Sequence, residues 1–150
     1  MTAARVAQAG GNLQQVVKET KRVIAMVHIL GVMDTLKYLF AGGRISKTKA
    51  TIGSLLNVKP LLSMRDGELF QSGMVRTYAK GLDHQYKFVE KAHDIQEVAI
   101  VHSTNPEEAT TLKKRISALV PEERIYMARL GAGLGVHGGP GTMITAIRQA

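Results

Sequence analysis

Residues 95–130 read "IQEVAIVHSTNPEEATTLKKRISALVPEERIYMARL". "IQEVAIVHS" is an apolar, β-branched run of strand length. "NPEEATTLKKRISALV" begins with Asn105 as a candidate cap, Pro106 at the first helical position and acids in the first turn, which specifies a helix start. "RIYMARL" is strand again. Strand, helix and strand in succession predict an α/β domain, and the rest of the chain must fit around that unit.

Working towards the N-terminus, "YAKGLDHQYKFVEKA" is an amphipathic helix. "VKPLLSM" and "ELFQSGMV" flank Asp66-Gly67, a strong hairpin turn signal. "SKTKATIGSLLN" places Ile52, Leu55 and Leu56 on one helical face, and "DTLKYLFAGGR" is a helix with Asp34 as candidate cap and Gly42-Gly43 as stop. "VIAMVHIL" reads as a buried strand, with His28 a satisfied core histidine. "ARVAQAGGNLQQVVKETKR" is helical, broken at Gly10-Gly11 and recapped by Asn12. Towards the C-terminus a glycine run separates "RIYMARL" from a final short strand, "TMITAIRQA". The sum is a mixed β-sheet with flanking helices in one domain, residues 1–150.

Composition narrows the function. Content is 45% hydrophobic and 21% charged, as in a globular protein. Cysteine is absent, which removes disulfides, thiolate nucleophiles and cysteine metal sites and suits a reducing compartment. The chain opens with no signal-peptide pattern. Its longest apolar run, "VIAMVHILGVM", is about half a membrane span, so a cytoplasmic protein is expected. The net charge of +8 is uneven: residues 1–80 hold 12 basic and 4 acidic side chains, and residues 81–150 hold 8 of each. A basic half can meet an anion or an acidic protein face, or be merely solvated. Aromatics make up only 5% and do not interleave with the basic residues, so no nucleic-acid partner is expected.

Two stretches carry candidate chemistry. In "LGVHGGPGTM", residues 134–143, His137 stands among glycines that let backbone approach a ligand and expose N–H groups. A glycine-rich turn with an idle histidine explains the same letters. "GAGLG" lacks the context of a dinucleotide fingerprint, since it is expected neither to open a helix inside a βαβ unit nor to precede a suitably spaced acidic residue. In "AGGRISKTKATIGSLLNVKPLL", residues 41–62, Arg44, Lys47 and Lys49 follow a glycine pair at a loop-to-helix junction, an anion site or simply a solvated turn. His84 and His93 lie nine apart, too far to share a metal on one turn. His102 ends a strand and could line a cleft. No histidine–carboxylate–serine set is visible locally, so no catalytic residue, metal or cofactor is assigned.

Taken together, "DTLKYLFAGGRISKTKATIGSLLNVKPLLSMRDGEL" and the closing "VHGGPG" resemble the signature motifs of the DegV family, in the right order and over nearly the whole chain. The resemblance implies the C-terminal domain of a bacterial fatty-acid-binding protein, the N-terminal half being absent. It implies a non-enzymatic carrier that encloses a long-chain acyl group and presents its carboxylate to a fatty acid kinase for phospholipid synthesis. By resemblance His137, Gly138, Gly139 and Gly141 fall at the head group, and Arg44 at the mouth of the site. Ser54, Leu55, Leu56, Val58 and Leu61 fall along the lipid-binding wall. Arg44, Lys47 and Lys49 would meet the kinase. "TMIT" after Gly141 departs from the family's usual Ala-Leu-Gly. The missing half raises the expectation of a homodimer or a separate first domain. The alternative is an α/β interaction domain working through its basic face without lipid.

The physical reading agrees with a lipid. About 15 methylenes buried at about 0.8 kcal/mol each are worth roughly 12 kcal/mol before ordering costs. A histidine hydrogen bond to a carboxylate adds about 1.5–3 kcal/mol. Affinity should come from the apolar wall, and orientation from His137.

Overall fold

The computed structural model describes residues 2–44 and 58–150. Its described elements run α1 (Thr2–Gln8), α2 (Leu13–Ile24), β1 (Val27–Val32), α3 (Lys37–Ala41), β2 (Lys59–Arg65), β3 (Glu68–Val75), α4 (Tyr78–Glu90), β4 (Ile95–His102), α5 (Pro106–Ile116), β5 (Ile125–Arg129), α6 (Ala132–Gly138) and β6 (Met143–Gln149). The strands form one mixed sheet in the order β3-β2-β1-β6-β4-β5. Among the described strands only β4 and β5 are parallel, joined by the crossover helix α5 as the opening stretch requires; the other pairs are antiparallel.

Local chemistry explains most boundaries. Asn12 and Gln15 form a reciprocal capping box, each side chain accepting from the other's backbone N–H (3.0 and 2.8 Å), and this starts α2. Asp66 and Gly67 both take positive φ (52° and 81°), the signature of a type I′ hairpin turn between β2 and β3. Several expectations need correction. Val23 and Ile24 complete α2, and the strand starts at Val27, because the α2 stripe claims the first part of the apolar run. His28 is exposed, since that strand is buried only towards its C-terminal end. Asp34 does not cap α3: its carboxylate pairs with Lys59 Nζ at 2.9 Å, and Leu36 occupies the cap position without a side-chain bond. Asn105 makes no capping bond either, its Oδ1 accepting from Thr104 Oγ1 at 2.8 Å.

The two faces of the sheet are packed differently. One is covered by α4 and α5 and forms the main core, with Val32, Val98, Ile100 and Met143 at 0% exposure. Gln85 of α4 is equally buried and donates to the carbonyls of Leu30 (3.2 Å) and Met143 (2.7 Å), tying the helix to β1 and β6. The other face carries the α1–α2 pair near β4 and β5, and α3 with α6 near β1 and β2. A smaller cluster, Met33, Leu36, Leu39 and Leu62, sits beneath α3.

Candidate functional site

The glycine run is not a bare turn. "AGLGVHG" forms α6, started at Gly131 and ended at Gly139, whose φ of +75° excludes most side chains. So "GAGLG" opens a helix where a glycine-rich turn was the simpler reading. The flanking strands β5 and β6 are antiparallel in direction, however, so the unit is not the βαβ of a dinucleotide fold.

The loop between α6 and β6 is held from a neighbouring strand end. Gly141 N–H donates to Thr104 Oγ1 (3.1 Å) and Thr142 N–H to Ser103 Oγ (3.0 Å), while Ser103 N–H donates back to Thr142 carbonyl oxygen (2.9 Å). Thr142, fully buried, closes the turn by donating its hydroxyl to the Gly139 carbonyl at 3.0 Å. The "HST" that ends β4 is therefore the splint of the glycine motif. His102 itself is buried on the α4–α5 side, with its carbonyl accepting from Leu130 N–H at 2.7 Å.

Against this splint, α3 and α6 come together through glycines. A Cβ on Gly42 would overlap His137 Nδ1, and one on Gly139 would overlap the Tyr38 ring. The small residues of the two motifs thus allow the imidazole to pack closely against the α3 C-terminus. His137 Nδ1 is buried and has no hydrogen-bond partner among the described residues. A buried, unpaired imidazole nitrogen costs free energy unless something occupies it.

Beneath this roof lies a cavity of about 250 Å³. Its floor is the second sheet face: Ile29, Gly31, Leu62, Met64, Leu69 and Ile144. Its roof is Leu39, Leu130, Leu134, His137 and Gly138. Apart from His137, its polar side chains are Arg44 and Thr142. Arg44 is exposed, with one guanidinium nitrogen 3.3 Å from the Gly42 carbonyl. A larger cleft of about 740 Å³ lies on the other side of α6, between Tyr38, Ser103, Arg129 and Pro140. It is more open to water, and the less open, more apolar cavity is better suited to capture a ligand. Among the described residues, no His/Cys/Asp/Glu cluster could hold a metal.

The residues named from sequence divide accordingly. His137, Gly138 and Arg44 line the cavity. Gly139 and Gly141 are buried supports, Gly139 against Tyr38 and Gly141 (φ +73°) against Asp34. Leu61 does not line the cavity. It points into the α4–α5 core, and its neighbour Leu62 takes the cavity side, as strand alternation demands. Val58 precedes β2 and is not part of the lining. Lys47, Lys49, Ser54, Leu55 and Leu56, with the helix expected around them, lie outside the described residues. Sequence reasoning missed Ile29, Gly31, Leu62, Met64, Leu130 and Ile144. Period-two alternation in "VHILGV" and "MITAIRQ" was the available signal, since it marks one residue in two for each face.

Comparison with known proteins bears on the whole chain. A family model described as DegV family matches residues 1–149. A DegV domain-containing protein of Caldanaerobacter subterraneus is 30% identical over 143 residues, which are 93% of this chain and 51% of that protein. The crystal structure of DegV, a fatty acid binding protein from Bacillus subtilis, superposes with a TM-score of 0.81 at 28% identity, covering 99% of this chain and 54% of that one. The Streptococcus pneumoniae fatty acid kinase B3 protein loaded with linoleic acid superposes with a TM-score of 0.85 at 19% identity, covering 99% and 53%. The chain spans about half the length of the curated relatives it matches.

Proposed function

The chain belongs to the DegV family, and on that premise we propose that it binds a long-chain fatty acid, acyl chain in the cavity and carboxylate towards His137. One observation carries the reading. An apolar cavity is lined by the half-buried imidazole of His137, whose Nδ1 has no partner among the described residues. A carboxylate with a long apolar tail suits both the imidazole and the apolar lining; a polar metabolite could pair with the imidazole but would leave the apolar lining unfilled.

The role is that of a carrier, without catalysis by this chain. The B. subtilis relative is described as a fatty acid binding protein, and the S. pneumoniae one as a fatty acid kinase protein loaded with linoleic acid. By that analogy the bound carboxylate is presented to a kinase, with exposed Arg44 as a contact for an acidic partner. Leu134 at the cavity and Val136 at the open cleft are 67% and 63% exposed on α6 and offer a surface to a first domain like that of the longer relatives. Among the described residues no helix is long and apolar enough to cross a membrane.

Lipid extraction from the purified chain, followed by mass spectrometry, tests the proposal. Long-chain fatty acid should emerge from the wild type in near-stoichiometric amount and in reduced amount from His137→Ala. If neither the chain alone nor the chain supplied with a family-type first domain yields fatty acid, the lipid reading falls and an interaction domain with a basic face takes its place.

A further inference from the structure

A second cavity, of about 230 Å³ and about as open to water as the cleft beside α6, lies on the same sheet face by α1 and α2. Thr2 and Val23 roof it, and Val27, Ala99, Tyr126 and Ala146 belong to its floor and walls. The two cavities share two strands. Moving along β1, the positions on this face are Gly31, Ile29 and Val27. Opposite them on β6 stand Ile144, Ala146 and Arg148. Gly31 and Ile144 line the first cavity, and Val27 and Arg148 line the second. The pair between them has one member in each: Ile29 lines the first and its partner Ala146 the second. Both are only half-buried although they lie on central strands.

Each cavity alone is smaller than the roughly 300 Å³ at which small-molecule sites begin, and the two together exceed it. From Gly31 to Val27 the strand advances about 14 Å, at about 3.4 Å per residue. The far end is closed by charge. Glu97 bridges Arg5 of α1 and Arg148 of β6, and Arg5 reaches the Tyr126 hydroxyl at 3.5 Å. An ω-methyl group has nothing to gain by passing such a cluster.

Building on the fatty-acid reading, we infer that the acyl chain runs from the His137 cavity across the Ile29–Ala146 pair into the cavity beneath α1–α2, so that Ala146 sets the acyl length accepted. A short acid stays in the first cavity. A long one needs the methyl-sized side chain at 146 to pass, and stops at the Arg5–Glu97–Arg148 cluster. Ala99, the β4 partner of Ala146, borders the second cavity alone.

The test is calorimetric titration of octanoic, lauric and palmitic acids into the wild type, Ala146→Leu and Ala99→Leu. Wild-type affinity should rise throughout the series, by about fourfold per methylene buried. Ala146→Leu should bind octanoic acid within about twofold of wild type, which also reports that it is folded, and lose on the order of 100-fold for palmitic acid. Should Ala146→Leu fail to fold, Ala99→Leu should show the same loss in weaker form. Palmitic acid bound as tightly by both variants as by wild type would overturn the path while leaving the fatty-acid reading intact. A wild type whose gain stops at lauric acid would do the same. A wild type that binds none of the acids would overturn both.

Discussion

The two faces of one sheet differ in a way that composition hides. Along β6, Met143, Thr145 and Ile147 are buried under α4 and α5, whereas Ile144, Ala146 and Arg148 on the other side are half-buried. β4 repeats the pattern, with Val98, Ile100 and His102 buried and Ala99 and Val101 half-buried. Both faces are largely apolar, yet among the described residues only one is fully closed by helices. On the closed face the apolar side chains are held out of water and stabilise the fold. On the open face apolar side chains line space, and their contribution is realised when a ligand fills it. Apolar strand residues left half-covered on central strands thus separate binding from stability.

The largest expected effect sharpens this contrast. Ile100→Glu places a charge among fully buried side chains and should remove most of the stability, on the order of 4–5 kcal/mol or more, measured by urea denaturation. Ile144→Glu, one face over, should cost about 1 kcal/mol of stability and yet abolish fatty-acid retention. Equal stability losses at the two sites would break the comparison. Next comes Gly42→Ala. The added methyl meets the His137 ring, so the imidazole must move and fatty-acid binding should fall with His137 still present, read by titration with palmitic acid. His137→Ala should weaken that binding by about 10- to 100-fold, the equivalent of one charge-assisted hydrogen bond, and leave the urea midpoint nearly unchanged.

The smallest effect concerns the far end of the open face. Burial opposes the charged form of Glu97, but hydrogen bonds and attraction from Arg148 and Arg5 outweigh it and hold the carboxyl below its usual value. A carboxyl with a lowered folded pKa stabilises above its unfolded value of about 4.3 and loses that contribution as pH falls through the folded value. The wild type should therefore lose stability on acidification below about pH 4.3 more steeply than Glu97→Gln, seen by comparing urea midpoints across that range. Parallel curves would remove Glu97 from the anchoring of α1.

Much of the fold was legible from local signals. The Asp66-Gly67 hairpin, the Asn12 cap, the Pro106 helix start and the β4–α5–β5 order each rest on chemistry within a few residues. Signals that depend on distant partners were not. Asp34 looks like a cap in sequence, but Lys59, 25 positions away, claims its carboxylate. The glycine run looks like a turn, because nothing local shows that Gly42 and Tyr38 pack on it and stabilise α6. Of the residues named through motif resemblance, His137, Gly138 and Arg44 line the cavity. The wall was misplaced at Leu61 because a dipeptide such as Leu61-Leu62 does not reveal which member faces which side until the sheet register is known. The partner strand β6 decides most of the floor, and its contribution is invisible without the pairing of β1 with β6.

The central claim is that the open face is the acyl site and the closed face is not. Methyl-labelled NMR of the chain with palmitic acid tests it most directly, by intermolecular NOEs from acyl methylenes. NOEs should appear to Ile29, Leu62 and Ile144, and none to Val32, Val98, Ile100 or Leu112. NOEs to the second set, or none to the first while the acid is bound, would contradict the account.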